Sequence, residues 1–191
     1  MSGKQAKILS ADHIDDLLFF AEQTRHPLRN RVIVLLSVKA GLRAAEIAKL
    51  TWDMVLTPTG EIGQSIEVRD GIAKKRSGRL IPIHTHLRLA LGDLLASGYR
   101  EGPIIRSERG GAMSPESIVV WFYRKFGALG FDGCSSHSGR RTFITRAARS
   151  VHSAGGSLRD VQLLAGHRSI QTTQRYIDGD SDAQRRLISL I

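Results

Sequence analysis

The stretch PLRNRVIVLLSVKAG, Pro27 to Gly41, constrains the fold more than any other. Pro27 suits the first position of a helix, where a backbone N–H has no partner to lose, and Gly41 suits the left-handed residue that ends one. Between them the apolar density is too high for a helix lying open to water, so this helix must be buried inside a shell of other elements. A chain of 191 residues is long enough for one such core and short for two, which predicts a single domain over residues 1–191.

The shell can be read from periodicity and caps. Ser10 can cap a helix whose Ile14, Leu17, Leu18 and Ala21 share one face, behind a polar lead over residues 1–9. AAEIAKL is a short third helix. SIEVRD and GRLIPIH are β-type runs around the basic connection GIAKKRSG, and they predict a hairpin with a cationic tip. HTHLRLALGDLLASG, with Thr85 as cap and Gly98 as stop, and MSPESIVVWFYRKFGALG, with Ser114 as cap and Pro115 first, return to helical spacing. The last third predicts a helix from Ser138 to near Ser153, a Gly155-Gly156 break, a helix entered through Ser157 and Asp160, and a short helix over Thr172 to Ile177. A tail over residues 180–191 could form one more amphipathic helix. The fold class is therefore mostly α with a small antiparallel β-sheet.

The formal net charge is +10, which makes an anionic partner the leading expectation and nucleic acid its first candidate. Lys74-Lys75-Arg76, Arg140-Arg141 and Arg185-Arg186 are spread along the chain, as suits a surface that follows a phosphate backbone. The single cysteine, Cys134, has no intramolecular disulfide partner, and no Cys/His group has zinc spacing. With neither an apolar signal core nor a membrane-length apolar run, the sequence predicts a cytoplasmic protein that does not engage a membrane.

Several residues have chemistry suited to a phosphodiester. His137 and Arg140 stand three apart at a helix start, and Arg43 follows a helix-ending glycine with Glu46 three residues on. Arginine donates two parallel charge-assisted bonds to phosphate oxygens and stays protonated at any working pH, so two arginines from different segments could clamp one phosphate. Tyr176 could serve as nucleophile if cations lower its proton affinity, Lys74 could protonate the leaving oxygen, and His137 and His167 could share protons. Each has a plainer alternative. Arg43 could simply pair with Glu46, His137 could bond backbone, Tyr176 could belong to the core, and Lys74, with Lys75, Arg76 and Arg79, could only contact phosphates.

Taken in order, AGLRAAEI, KKRSGRLIPI, HSGRRTFITR and LLAGHRSIQTTQRY resemble the catalytic domain of the tyrosine recombinases, the phage-integrase family of site-specific DNA recombinases. The family pattern is an Arg followed by a Glu, a hairpin Lys eight residues before a Pro, His-x-x-Arg, Gly-His, and a Tyr nine residues later. Here these are Arg43 with Glu46, Lys74 before Pro82, His137 with Arg140, Gly166-His167, and Tyr176. The resemblance implies the fold shared with type IB topoisomerases. It also implies attack of Tyr176 on a DNA phosphate, a 3′-phosphotyrosyl intermediate, and no cofactor, metal or ATP. By the same resemblance Arg43 and Arg140 clamp the phosphate, Glu46 supports Arg43, Lys74 is the acid, His137 the acid/base and His167 a donor to the phosphate. Lys75, Arg76, Arg79, Arg141 and Arg168 are expected to contact DNA.

The implied partners are double-stranded DNA, further copies of the chain in a tetramer on two DNA sites, and accessory DNA-bending proteins, with the protein at the nucleoid. The tail after Tyr176 would pass to a neighbouring protomer. Residues 1–9 alone precede the first helix, so the resemblance is to recombinases without the N-terminal DNA-clamping domain, or to a catalytic fragment. Gly139 and Ala165 stand where the family usually has Leu. Two competing functions share the fold, DNA relaxation of the topoisomerase IB kind and non-catalytic DNA-binding regulation.

Overall fold

A computed structural model of the protein describes residues 6–73, 77–176 and 188–189. The chain divides into two compact units, Met1–Phe143 and Ile144–Ile191. Among the described residues the architecture is helical with one two-stranded antiparallel sheet, as the sequence implies.

In the first unit, α1 (Ala11–Glu22) starts where Ser10 accepts a bond from the His13 N–H, and it buries Ile14, Leu17 and Ala21. Helix α2 (Pro27–Lys39) is the enclosed centre, with every residue from Val32 to Val38 buried. It packs against α1, against α3 (Ala44–Lys49) and against α4 (Thr85–Ala96), while α3 and α1 also meet α5 (Pro115–Ala128). The run Val32 to Val38, apolar at all but Ser37, is buried on every side of the helix and so calls for neighbours all round it. Gly41 ends the segment at φ 63°, and Phe143 lies where a Cβ would stand, so both backbone and space call for glycine there.

The hairpin pairs β1 (Ser65–Val68) with β2 (Arg79–Pro82) in the register Ile66 opposite Ile81 and Val68 opposite Arg79. Ile66, Val68 and Ile81 are buried, whereas Leu80 on the other face is exposed. Opposed residues share a face, so the register turns Arg79 inward beside Val68. The connection bearing Lys74, Lys75 and Arg76 lies outside the described residues.

Some local expectations shift. The cap of α4 is His84, whose Nδ1 accepts the His86 N–H at 3.1 Å, with Thr85 already the first helical residue. Both residues are polar enough to end the extended approach, and the imidazole provides the acceptor. The lead into α1 is also tied down. Leu9 is buried with its N–H on Thr142 Oγ1, and the Ala6 carbonyl accepts from Arg141 Nη1 at 2.8 Å.

Helix α6 (Ser138–Ser150) carries residues of both units and ends before the expected Ser153. In the second unit, α7 (Leu158–Ala165) has its Ser157–Asp160 capping box formed, and Gly166 ends it at φ 63°. Helix α8 (Ile170–Gln174) packs on α7 and begins and ends earlier than expected, so Tyr176 follows the helix within a turn. Ile177, and all of the 180–191 tail but Ile188 and Ser189, lie outside the described residues.

Gly139 acquires a role that its position in the motif does not reveal. A Cβ on it would overlap Ser37 Oγ and press on Ser37 Cβ and Val38 Cγ1 of α2, so the α2–α6 approach depends on the missing side chain. Gly139→Ala is expected to cost about 1–3 kcal/mol in urea unfolding through overpacking, although alanine is the better helix former. A variant at least as stable as wild type would show that α2 can give way at Ser37.

Candidate functional site

In the first unit the site is built around the turn that leaves α2. Arg43, two residues beyond Gly41, opens α3, and its backbone N–H donates to Glu46 Oε2 at 2.9 Å while its Nη1 donates to Glu46 Oε1 at 3.0 Å. The spacing of three residues across a helix start makes this possible, since the third residue of a helix faces back to its cap. Glu46 is 1% exposed. Its second guanidinium comes from the hairpin: Arg79 Nη1 and Nη2 donate to Oε1 and Oε2, each at 3.1 Å.

Burial by itself would raise the Glu46 carboxyl, but the hydrogen bonds and charge of Arg79, followed by those of Arg43, outweigh it and hold the group below its ordinary value. The carboxylate is thus ionised and all four of its usual acceptor directions are engaged. The Arg79 side chain is 5% exposed against 21% for Arg43. Arg79, expected among the residues that contact DNA, lies under the surface with both Nη atoms on Glu46.

Arg140 reaches the same turn from α6. It is 4% exposed, and its Nη1 donates to the Gly41 carbonyl at 2.6 Å. At this turn the Arg43 guanidinium is thus held by Glu46 and that of Arg140 by the Gly41 carbonyl. His137 is exposed at the start of α6, and its N–H donates to Ser135 Oγ at 3.3 Å. Arg141 faces the N-terminal lead through the Ala6 carbonyl. Lys74, Lys75 and Arg76 lie outside the described residues.

In the second unit His167 is held from three sides. Its N–H donates to the Gln162 carbonyl at 3.1 Å, its carbonyl accepts from Gln162 Nε2 at 2.9 Å, and its Nδ1 meets Thr173 Oγ1 at 2.9 Å. Thr173 is fully buried, so its hydroxyl is a fixed partner. The imidazole stacks on the Tyr176 ring, with centroids 5.6 Å apart and planes 23° from parallel. Arg168 is exposed beside it. The sequence reading gave no role to Thr173 or Gln162. The signal for Thr173 is its spacing, six residues after His167 and three before Tyr176, on α8.

A buried hydroxyl on Nδ1 fixes the orientation of the imidazole and leaves Nε2 as its other polar atom. Thr173→Val keeps the buried volume and removes the hydroxyl, and we expect roughly tenfold slower tyrosine-dependent DNA cleavage from a protein that still melts cooperatively. Cleavage at the wild-type rate would show that the ring holds its orientation without Thr173.

Among the described residues no group of three or more His, Cys, Asp or Glu is placed to hold a metal ion, and no helix is long and apolar enough to cross a membrane.

Among the described residues the elements are helices and one two-stranded hairpin, with Arg43 and Arg140 held at the turn after α2 in the first unit and His167 stacked on Tyr176 in the second. The chain belongs to the phage integrase family, whose sequence profile matches residues 7–182. It is 33% identical over 159 residues to the tyrosine recombinase XerC of Bradyrhizobium diazoefficiens, an alignment covering 81% of this chain and 47% of that protein. XerC of Xylella fastidiosa is 28% identical over 176 residues, covering 91% of this chain and 56% of the relative. The chain thus spans about half the length of these relatives.

Two solved structures share the fold. The XerA recombinase superposes with a TM-score of 0.73 at 24% identity, covering 96% of this chain and 64% of XerA. The XerH site-specific recombinase bound to a palindromic difH substrate gives 0.75 at 18% identity, covering 99% and 54%.

Proposed function

We infer that the chain is a DNA strand-cleaving and rejoining catalytic module of a site-specific recombinase, and that residues 1–191 act together as one catalytic domain. The observation that carries this reading is that Arg43, held by Glu46, and Arg140, held by the Gly41 carbonyl, are both fixed at the turn that leaves α2, which supports their use as a pair on one phosphate. Arg43 and Arg140 would each donate to the non-bridging oxygens, where charge builds as phosphorus becomes five-coordinate. The Tyr176 oxygen would attack phosphorus and give up its proton with help from His137. As the bond from phosphorus to the 5′ oxygen breaks, Lys74 would protonate that oxygen, leaving the phosphate on tyrosine through the 3′ side. His167, with Nδ1 on Thr173, would direct Nε2–H at a phosphate oxygen. The 5′-hydroxyl of a second strand then reverses the step.

The phosphate-ester energy stays in the covalent link, so the exchange needs no ATP. Double-stranded DNA is the substrate, with Lys75, Arg76, Arg141 and Arg168 as further backbone contacts and association falling steeply with salt. Self-association on two DNA sites through the 180–191 tail, accessory DNA-bending proteins and a place at the cytoplasmic nucleoid complete the proposal.

Covalent trapping tests it. Protein incubated with sheared genomic DNA from its source is quenched in denaturant, and the linked fragments are sequenced beside a Tyr176→Phe control. Enrichment of one locus, lost in the control, supports recombination. Adducts spread over all sequences, without exchange between two labelled duplexes, would point to relaxation instead. Salt-sensitive binding with no adduct would overturn the cleavage reading and leave a DNA-binding protein.

A further inference from the structure

Glu46 presents an electrostatic problem. A carboxylate that orients Arg43 also cancels its charge, and a neutral pair would do little for a phosphorane whose oxygens carry growing negative charge. The described structure holds a second guanidinium on the same carboxylate. Arg79 approaches Glu46 through both Nη atoms at 3.1 Å, while Arg43 uses one Nη and its backbone N–H. Two arginines and one carboxylate sum to one positive charge (+2 − 1 = +1). The exposures divide the labour: Arg79 is 5% exposed and Arg43 21%, so the guanidinium nearer the surface is the one a phosphate can reach.

We propose that Arg79 is a positioning residue that neutralises Glu46 from below, so that Glu46 can orient Arg43 without cancelling the charge Arg43 presents to the phosphate. This rests on the phosphate-clamping role of Arg43 given above and assigns to a strand residue, 36 positions away in sequence, a part in it that involves no contact with DNA. The sheet register explains how the arginine comes to be there. Arg79 stands opposite Val68 on the buried face of the hairpin, and its five planar donors match a carboxylate in the fork geometry that lysine lacks. Arginine at this position is therefore a charge-balancing device, distinct from a phosphate contact such as an exposed hairpin lysine would make.

The charge balance can be tested by restoring it in another way. Arg79→Met removes the cation with little change in volume, and should slow single-turnover adduct formation on a nicked duplex by about 10- to 100-fold with little change in duplex affinity. Adding Glu46→Gln to Arg79→Met removes the anion as well and keeps an acceptor for Arg43, so the double variant should regain most of the lost rate. A purely structural role for Arg79 predicts the reverse, since the double variant has lost more native bonds. A double variant no faster than Arg79→Met, with both melting cooperatively, overturns the proposal, as does an Arg79→Met protein that cleaves like wild type.

Should Arg79→Met fail to fold, Arg79→Lys decides, because it keeps the charge and gives up the fork; near-wild-type cleavage supports the proposal and a rate as low as that of Arg43→Ala overturns it. Inorganic phosphate titrated against the same proteins, followed at the Arg43 side-chain N–H signals by NMR, reads the charge without cleavage. Weaker phosphate binding in Arg79→Met and recovery in the double variant are expected even if wild type forms no adduct, a result that would sink the recombinase reading alone. Equal phosphate affinity in wild type and Arg79→Met would sink this one.

Discussion

Tyr176→Phe is expected to form no covalent DNA adduct, a fall of at least about 10⁴-fold, because it deletes the oxygen proposed to attack phosphorus and nothing else. The ring remains to stack on His167, and Tyr176 lies in the turn after α8 and outside the deepest core, so stability should change by less than about 0.5 kcal/mol. Duplex binding should persist, since the basic surface is untouched. Denaturing gels of protein with labelled duplex read the adduct, and thermal melts read the fold. An adduct at wild-type yield would mean that another hydroxyl attacks. The other two tyrosines, Tyr99 and Tyr123, are 61% and 76% exposed, and they would be the next substitutions to make.

Glu46→Ala should cost about 3–5 kcal/mol in urea unfolding, because removing one partner from a buried charged cluster leaves the others uncompensated. Here two guanidinium groups would be left facing each other, one of them 5% exposed. Glu46→Gln should cost clearly less, since its amide oxygen still accepts. The pH dependence follows from the direction of the Glu46 shift. Its folded-state affinity for a proton is depressed relative to the unfolded chain, so the stability it confers is complete above the ordinary value of 4.5 and is lost as pH falls through the lower, folded value. The difference between wild type and Glu46→Gln should therefore be large near neutrality and shrink on acidification below about pH 4. A difference that stays constant to low pH would show that the carboxylate is not ionised within the cluster.

Much of the local structure was legible because its causes are local. Ser10, Ser114 and the Ser157–Asp160 pair act within three residues of themselves, and helix starts follow all of them. The alternation of β2 is legible as well. Arg79 shares a face with Ile81, so a strand buried on the Ile81 face must carry the arginine inward with it. Thr85 has a cap-forming side chain in the sequence, but the cap is His84, whose imidazole Nδ1 supplies the acceptor.

The sequence by itself determined the elements, their order and the residue types with phosphoryl-transfer chemistry, since periodicity, caps and turn glycines express forces that act over a few residues. The tertiary structure decided what holds those residues in place. Arg79 meets Glu46 across 33 positions and Arg140 meets Gly41 across 99. Gly139 matters because Ser37 lies against it, in a helix that only packing brings near. Bonds of that span are chosen by how the buried α2 and the hairpin register bring distant segments together, where an unpaired charge or a displaced methyl group costs as much as a large part of the net stability of a domain. No pattern within one segment specifies that choice, because the partner of each buried charge is set by the packing of the segments around it.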